Sequence, residues 1–232
     1  MDYNDRTTCV LFGDGAGAAV IKLDESLYVH KAYASGNFEG LNCSGVGKDN
    51  NYLHMDGKAV FEKRSMLKVE VRRNGKKVYS SLSLNDAVIS AERGVSTIML
   101  SVKRNSLPLC RLKADGLILA TPTGSTAYSA AAGGPIVSPE VEAFVLTPLN
   151  SFSLSSRPIV LSPDSNLEIT VEKSRIKGIC LTVDGQEPFG IQTGDIISVI
   201  LNKKKAKLVA GSEEKFYNAL RSKLNWSGVP HA

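Results

Sequence analysis

The sequence has few aromatic residues and lacks a long apolar run. Aromatic side chains make up 6% of the 232 residues, and Trp226 is the single tryptophan. A surface that stacks nucleic-acid bases needs several rings in close succession, so we expect no nucleic-acid binding. No apolar run approaches the roughly 20 residues that span a bilayer, and residues 1–6 are polar, without a signal-type apolar region. We therefore expect neither membrane insertion nor secretion.

Cysteines are also few and widely separated. The chain has four, Cys9, Cys43, Cys110 and Cys180, and no two of them form the Cys-x-x-Cys pair that is typical of structural zinc sites and thiol redox centres. We expect four reduced thiols in a cytoplasmic protein with no metal site. The formal net charge of +5 is modest and suits an anionic small-molecule ligand.

The rest of the composition predicts a globular, mainly β protein. Hydrophobic residues make up 43% and charged residues 22% of the chain, which is typical of domains with a packed core. From residue 64 onward, short β-type runs are separated by turn signals, of which Asn74-Gly75 is the strongest hairpin signal. This spacing favours a β-sandwich or meander, with two short helices at 125–132 and 213–224. The predicted strands are 66–71, 77–82, 87–90, 95–102, 107–112, 116–120, 158–161, 167–171, 178–183, 196–201 and 206–209.

Residues 114–128 carry the most informative polar pattern. A buried strand ends at Ala120 and is followed by a turn dense in hydroxyl groups and by the start of a helix. The amino end of a helix presents free backbone N–H groups, which suit an anionic or polar ligand. Capping of the helix by serine and threonine explains the same residues without a ligand. On the residues alone, capping is the simpler interpretation.

The same segment resembles a known family. It reads TPTGSTAY at 121–128 and GGPI at 133–136, and in this it closely resembles the carboxy-terminal signature of NAD kinases. The resemblance extends in order over residues 64–226 and implies the β-rich carboxy-terminal domain of that family, a β-sandwich that we place at 64–232. The other matching motifs lie at 64–67, 84–86, 114–116, 156–158, 183–186 and 220–226.

The resemblance implies an activity and its substrates. NAD kinases phosphorylate the 2′-hydroxyl of the adenosine ribose of NAD to give NADP. The phosphoryl donor is ATP or, in some members, polyphosphate, and a divalent cation such as Mg²⁺ takes part. Members of the family complete their sites across subunits, so the resemblance also implies a homo-oligomer.

The resemblance further places six NAD-contacting residues in this sequence. Asp86 stands where the family usually has glutamate, so its shorter carboxylate reaches less far. Tyr128 would pack against the adenine base, and Asp115 would contact the ligand across a subunit interface. Ala131 replaces a serine that many members have, which removes one hydroxyl contact to the adenine. The six expected NAD-binding residues are Asn85, Asp86, Asp115, Thr126, Ala127 and Tyr128.

Residues 1–63 resemble a different enzyme. The stretches TCVLFGDGAGA at 8–18 and YLHMDGKAVF at 52–61 are similar to parts of a type III β-ketoacyl-acyl-carrier-protein synthase. We expect this part to be a small, incomplete α/β fragment of the thiolase type. The nucleophilic cysteine, the histidine and the asparagine of that synthase lie outside the matching stretches, so we expect no condensing activity.

The catalytic base of the kinase stays unassigned. In the family it is the aspartate of a Gly-Gly-Asp-Gly motif, which does not occur in this sequence. Asp14, in Gly13-Asp14-Gly15, is a candidate substitute, but residues 16–21 continue like a strand where the kinase motif opens a helix. We therefore predict NAD or NADP binding with weak or no phosphotransfer. The alternatives are a non-catalytic interaction module that associates with a complete NAD kinase subunit, and a fusion of two enzyme fragments without a function.

Overall fold

The computed structural model describes residues 61–92, 97–153, 155–172, 178–209 and 214–224. They fall into two compact units. The larger unit is Arg64–Ala206, and residues 61–63, 207–209 and 214–224 belong to the other. The synthase-like stretches before residue 61 and the candidate base Asp14 lie outside the described residues, so the division at residue 63 stays a prediction.

Within the described residues we number fourteen β-strands and two α-helices in chain order. The strands are β1 (Phe61–Arg64), β2 (Leu67–Arg73), β3 (Lys76–Ser83), β4 (Asp86–Ala91), β5 (Ile98–Arg104), β6 (Leu107–Ala114), β7 (Gly116–Ala120), β8 (Phe144–Leu149), β9 (Ile159–Leu161), β10 (Leu167–Val171), β11 (Ile179–Val183), β12 (Phe189–Ile191), β13 (Ile196–Leu201) and β14 (Ala206–Val209). The helices are α1 (Tyr128–Ala131) and α2 (Glu214–Leu224), and a 3₁₀ turn at Thr123–Thr126 precedes α1.

The larger unit is built from two antiparallel sheets. In the part of the chain that is described, each sheet has six strands. The first sheet has the order β3-β2-β13-β10-β5-β6 and the second has the order β12-β11-β4-β7-β8-β9. The mainly β architecture with two short helices, predicted from the spacing of short runs, is confirmed. Strands β1 and β14 pair separately as a two-stranded ribbon.

Alternating apolar residues form the core that the two sheets share. Along β2, Leu67, Val69 and Val71 are fully buried while the residues between them are partly exposed. One cluster of buried side chains contains these residues together with apolar residues of β4, β7 and β11 in the other sheet. This is the period-2 pattern of strands with one buried face. Each such side chain contributes about 1.5–3 kcal/mol of hydrophobic stabilisation.

Strand β7 differs because all five of its residues are buried. Leu117 and Leu119 belong to the core between the sheets, whereas Ile118 and Ala120 belong to a second cluster that also contains Val137. The outer face of the second sheet is therefore covered here. Burial on both faces explains why β7 reads as a continuous apolar run in the sequence.

Local predictions agree with the structure for most elements and disagree for four. The hairpin at Asn74-Gly75 is confirmed, with φ of 51° and 76° at these residues. Strands β1, β8 and β12 were not predicted. The predicted helix 125–132 is wrong in extent, because Ala127, with φ −96° and ψ −128°, separates the 3₁₀ turn from the single turn of α1. The predicted terminal helix is confirmed as α2. No helix of the described part is both long and apolar enough to cross a membrane.

Candidate functional site

The segment that follows β7 folds back over the outer face of the second sheet. The buried Ser125 hydroxyl donates a hydrogen bond to the Pro122 carbonyl oxygen at 2.6 Å and accepts one from the Val137 backbone N–H at 2.9 Å. The hydroxyl groups of Ser129 and Thr147 are 2.9 Å apart and both residues are fully buried. The hydroxyls of Ser125, Ser129 and Thr147 are therefore used to hold this segment on the sheet.

The same turn fixes the loop between β3 and β4. The Thr121 side chain donates a hydrogen bond to the Leu84 carbonyl oxygen at 2.5 Å, and its backbone N–H donates to the Asn85 carbonyl oxygen at 2.8 Å. A Cβ atom at Gly124 would lie 2.1 Å from the Asn85 carbonyl oxygen. Only glycine permits this close approach of two backbones.

A carboxylate fixes the loop from the opposite side. Asp184 follows β11, and its side chain accepts hydrogen bonds from one hydroxyl and three consecutive backbone N–H groups. The distances are 2.7 Å to Ser83 Oγ, 2.7 Å to Leu84 N, 2.8 Å to Asn85 N and 3.0 Å to Asp86 N. Such a set of donors stabilises an ionised carboxylate and fixes its position.

Between these two anchors the structure forms an open cavity of about 410 Å³. This volume lies in the range of small-molecule sites. Strand β4 and the loop before it, strand β11 and the turn after it, and the start of α1 supply the walls. The lining residues are Asn85, Asp86, Val88, Ser90, Ala127, Tyr128, Thr182, Asp184 and Gly185.

The carboxyl group of Asp86 is the unusual feature of this cavity. Asp86 is only 7% exposed, and no described residue donates a hydrogen bond to its carboxyl group. Burial, followed by the nearby negative charge of Asp184, raises the pKa of Asp86 from 3.8 to about 6. A carboxyl group that faces a cavity without a protein partner can accept hydrogen bonds from a ligand, and groups with shifted pKa values cluster at functional sites.

The cavity is acidic and carries several further hydrogen-bonding groups. Its described lining residues include two carboxyl groups and no lysine or arginine. The Asn85 side-chain amide has no hydrogen-bond partner among the described residues, and the Tyr128 ring is 49% exposed at the rim. Hydroxyl and amino groups of a ligand suit such a surface, whereas phosphate groups do not.

The structure brings together four of the six residues predicted to bind NAD. Asn85, Asp86, Ala127 and Tyr128 all line the cavity. The other two do not line it. The Thr126 hydroxyl donates to the Thr123 carbonyl oxygen at 3.3 Å. Asp115, between β6 and β7, accepts a hydrogen bond from the Asn150 side chain at 3.0 Å. The contacts of all six with NAD stay predictions.

Sequence reasoning identified the motif that contains Asp184 but not its role. The pair Asp184-Gly185 forms a turn with φ of 48° and 67°, and an Asp-Gly pair signals such a turn in sequence. The partners of its carboxylate lie about 100 residues away in the chain, and no local pattern encodes that pairing. No group of three or more metal-ligating side chains occurs among the described residues.

Comparison with known proteins agrees with the resemblance noted above. The family model "ATP-NAD kinase C-terminal domain" matches residues 84–211, and the model "3-Oxoacyl-[acyl-carrier-protein (ACP)] synthase III" matches residues 1–35. The NAD kinase of Treponema denticola is 44% identical over 177 residues, which are 76% of this chain and 62% of that protein. The NAD kinase of Treponema pallidum (strain Nichols) is also 44% identical, over 71% of this chain and 54% of that protein.

Two solved structures have a similar fold. Yeast NADH kinase complexed with NADH has a TM-score of 0.69 and 32% identity, over 75% of this chain and 51% of that one. An NAD kinase from Archaeoglobus fulgidus in complex with ATP has a TM-score of 0.56 and 26% identity, over 68% of this chain and 58% of that one. The chain thus spans between 51% and 62% of the length of these four relatives.

Proposed function

The chain belongs to the NAD kinase family, because the family model covers more than half of it, and on that premise we propose that the cavity beside Asp86 binds NAD or NADP. The observation that carries this proposal is the Asp86 carboxyl, which lines the cavity and has no hydrogen-bond donor among the described residues. Its missing donor is a ribose hydroxyl of the dinucleotide. The Asn85 amide supplies a second polar contact, and the exposed Tyr128 ring offers a face for a base.

The charge of the cavity decides which part of the dinucleotide it holds. Two carboxyl groups without a lysine or arginine among the described lining residues repel phosphate oxygens. The Asp86 carboxyl, which has no donor among the described residues, accepts hydrogen bonds from ribose hydroxyls and from amino groups. We therefore assign the nucleoside portion of NAD to the cavity and its pyrophosphate to the open side.

Phosphorylation of NAD is the activity that the family name implies for this chain. Phosphoryl transfer depends on positioning of the donor and on stabilisation of its negative charge. The acidic cavity neither positions ATP or polyphosphate nor stabilises its negative charge. Binding of the phosphoryl donor and of Mg²⁺ therefore requires residues outside the cavity. Lost positioning costs roughly 7–11 kcal/mol of barrier. We propose that residues 64–226 supply the dinucleotide-binding half of the reaction, with weak or no turnover unless other groups supply the rest. Asp14 stays a candidate base.

Calorimetric titration of the purified chain with NAD, NADP and ATP tests this assignment. We expect NAD to bind with a dissociation constant of about 1 mM or tighter, as is usual for enzyme substrates, and ATP alone to bind more weakly. A coupled assay for NADP on the same sample then measures turnover with ATP and Mg²⁺. Absence of NAD binding, or tighter binding of ATP than of NAD, would contradict the proposal.

One observation favours a second candidate function, association through a sheet edge. Strand β9 ends the second sheet in the described part of the chain, and Ile159 and Val160 on it are 40% and 48% exposed. Exposed apolar edge strands pair readily with other chains, and the partner here would be a second copy or a complete NAD kinase subunit. Light scattering of the wild type and of Val160→Lys tests it, because a homo-oligomer formed at this edge dissociates in the variant.

A further inference from the structure

The Asp184 carboxylate lies in the wall of the cavity, yet most of its hydrogen-bonding capacity is used by the protein. A carboxylate has about four acceptor positions, two on each oxygen. Asp184 Oδ1 accepts from Ser83 Oγ and from the backbone N–H groups of Asn85 and Asp86, and Oδ2 accepts from that of Leu84. This carboxylate is therefore committed to the loop, in contrast to that of Asp86.

We propose that Asp184 is a positioning residue that holds Asn85 and Asp86 in their binding geometry. The proposal rests on the assignment of the cavity as the dinucleotide site. It adds that affinity depends on the hydrogen bonds by which Asp184 fixes the loop that carries these two residues.

The backbone around Asp184 supports this role. The Asp184 N–H donates to the Asp86 carbonyl oxygen at 2.9 Å, so the two segments are bonded in both directions. Across the loop, the Thr121 N–H donates to the Asn85 carbonyl oxygen at 2.8 Å. The backbone of the loop is thus held from two sides, and the side chains of Asn85 and Asp86 are the groups left facing the cavity.

The charge of Asp184 gives the proposal a measurable signature. Burial and this charge together raise the pKa of Asp86 to about 6. The titratable groups that face Asp86 in the described lining are Asp184, from the turn after β11, and the Tyr128 phenol, from α1. Asp184 is therefore the one described neighbour whose negative charge acts on Asp86 near neutral pH. Removal of that charge lowers the pKa of Asp86.

Two variants separate the charge of Asp184 from its geometry. Asp184→Asn removes the charge and part of the acceptor capacity, while Asp184→Glu keeps the charge but moves the carboxylate away from the four donors. Asp195→Asn is the matched control. Like Asp184, Asp195 accepts a backbone hydrogen bond, here from Gln192, and it also pairs with Arg73, but it does not line the cavity. The readouts are the carboxyl ¹³C titration of Asp86 without ligand and the NAD dissociation constant at pH 8.

We expect Asp184→Asn to lower the pKa of Asp86 and to weaken NAD binding by about tenfold or more, which corresponds to the loss of a hydrogen bond to a charged group. In Asp184→Glu the pKa of Asp86 stays raised, but the affinity for NAD falls. Asp195→Asn changes neither the pKa of Asp86 nor the affinity for NAD. Unchanged NAD affinity in Asp184→Glu, or an unmoved Asp86 titration in Asp184→Asn, would overturn the proposal. If Asp184→Asn does not fold, the NAD affinity of Asp184→Glu alone tests the proposal. A wild-type chain that fails to bind NAD refutes the dinucleotide site, while the Asp86 titration still tests the role of Asp184.

Discussion

The carboxyl group of Asp86 lowers the stability of the fold whenever it is ionised. Its pKa of about 6, against 3.8 in the unfolded chain, means that the native state holds this proton over a pH range in which the unfolded state has released it. Stability is therefore unaffected below pH 3.8, falls as the pH rises to about 6, and stays reduced above that value. Ligand sites commonly retain such costly groups.

Asp86→Asn is expected to stabilise the ligand-free protein at pH 8 and not at pH 3.5. Two pKa units at 1.4 kcal/mol each give a gain of about 2–3 kcal/mol. The same change removes an acceptor for ribose hydroxyls, so NAD binds more weakly. Urea unfolding at the two pH values measures the first effect and calorimetry the second. A variant that is no more stable than the wild type at pH 8 would show that the Asp86 carboxylate carries no such penalty.

At the residue scale, the sequence motifs identified several residues that line the cavity, although they did not predict the cavity itself. The resemblance identified Asn85, Asp86 and Tyr128, which the structure places around one cavity. It also identified Asp115 and Thr126, which do not line that cavity within one chain. The part played by Asp184 was not predictable, because its carboxylate bonds to a loop about 100 residues earlier in the sequence.

At the scale of elements, the segment 121–137 connects the fold to the site. Its hydroxyls and its close backbone contact hold it on the outer face of the second sheet, which buries Ile118 and Val137. The sequence predicted one helix here, because serine and alanine tolerate helical geometry. Tertiary hydrogen bonds, such as that from Val137 to Ser125, break the segment into a 3₁₀ turn and a single α-turn instead.

Gly124→Ala tests the contact between this segment and the loop that carries Asn85. The added Cβ meets the Asn85 carbonyl oxygen at 2.1 Å, so one backbone must move. We expect a loss of about 1–3 kcal/mol of stability and a weaker affinity for NAD. Gly190→Ala is the control, because no atom lies within 4 Å of its added Cβ. Equal urea midpoints and equal NAD affinities for the two variants would contradict this account of the contact.

Strands β8 and β12 were not predicted for different physical reasons. Strand β8 contains Pro148, which argues against a central strand in sequence. In the structure, Pro148 pairs with Leu117 of β7 and lies beyond the three residues of β8 that pair with β9. Strand β12 has only three residues, Phe189–Ile191, which is too short for a periodic signal.

At the scale of the whole molecule, the sandwich was predictable and the cavity was not. Regular alternation of buried and exposed residues along β2, β10 and β13 of the first sheet is the pattern of a sheet with one face on a core. The cavity lies on the other face of the second sheet, where β4 and β11 meet the segment after β7. Its walls come from residues between 85 and 185, and the sequence alone does not specify which distant segments become neighbours.

The most direct test of the account is to map NAD onto the ¹⁵N-labelled chain by NMR. The account predicts that NAD shifts the amide signals of residues 84–90, 121–128 and 182–186, while those of the Asn74-Gly75 hairpin stay in place. Shifts confined to the hairpin or to the first sheet, or no shifts at saturating NAD, would contradict the assignment of this cavity as the dinucleotide site.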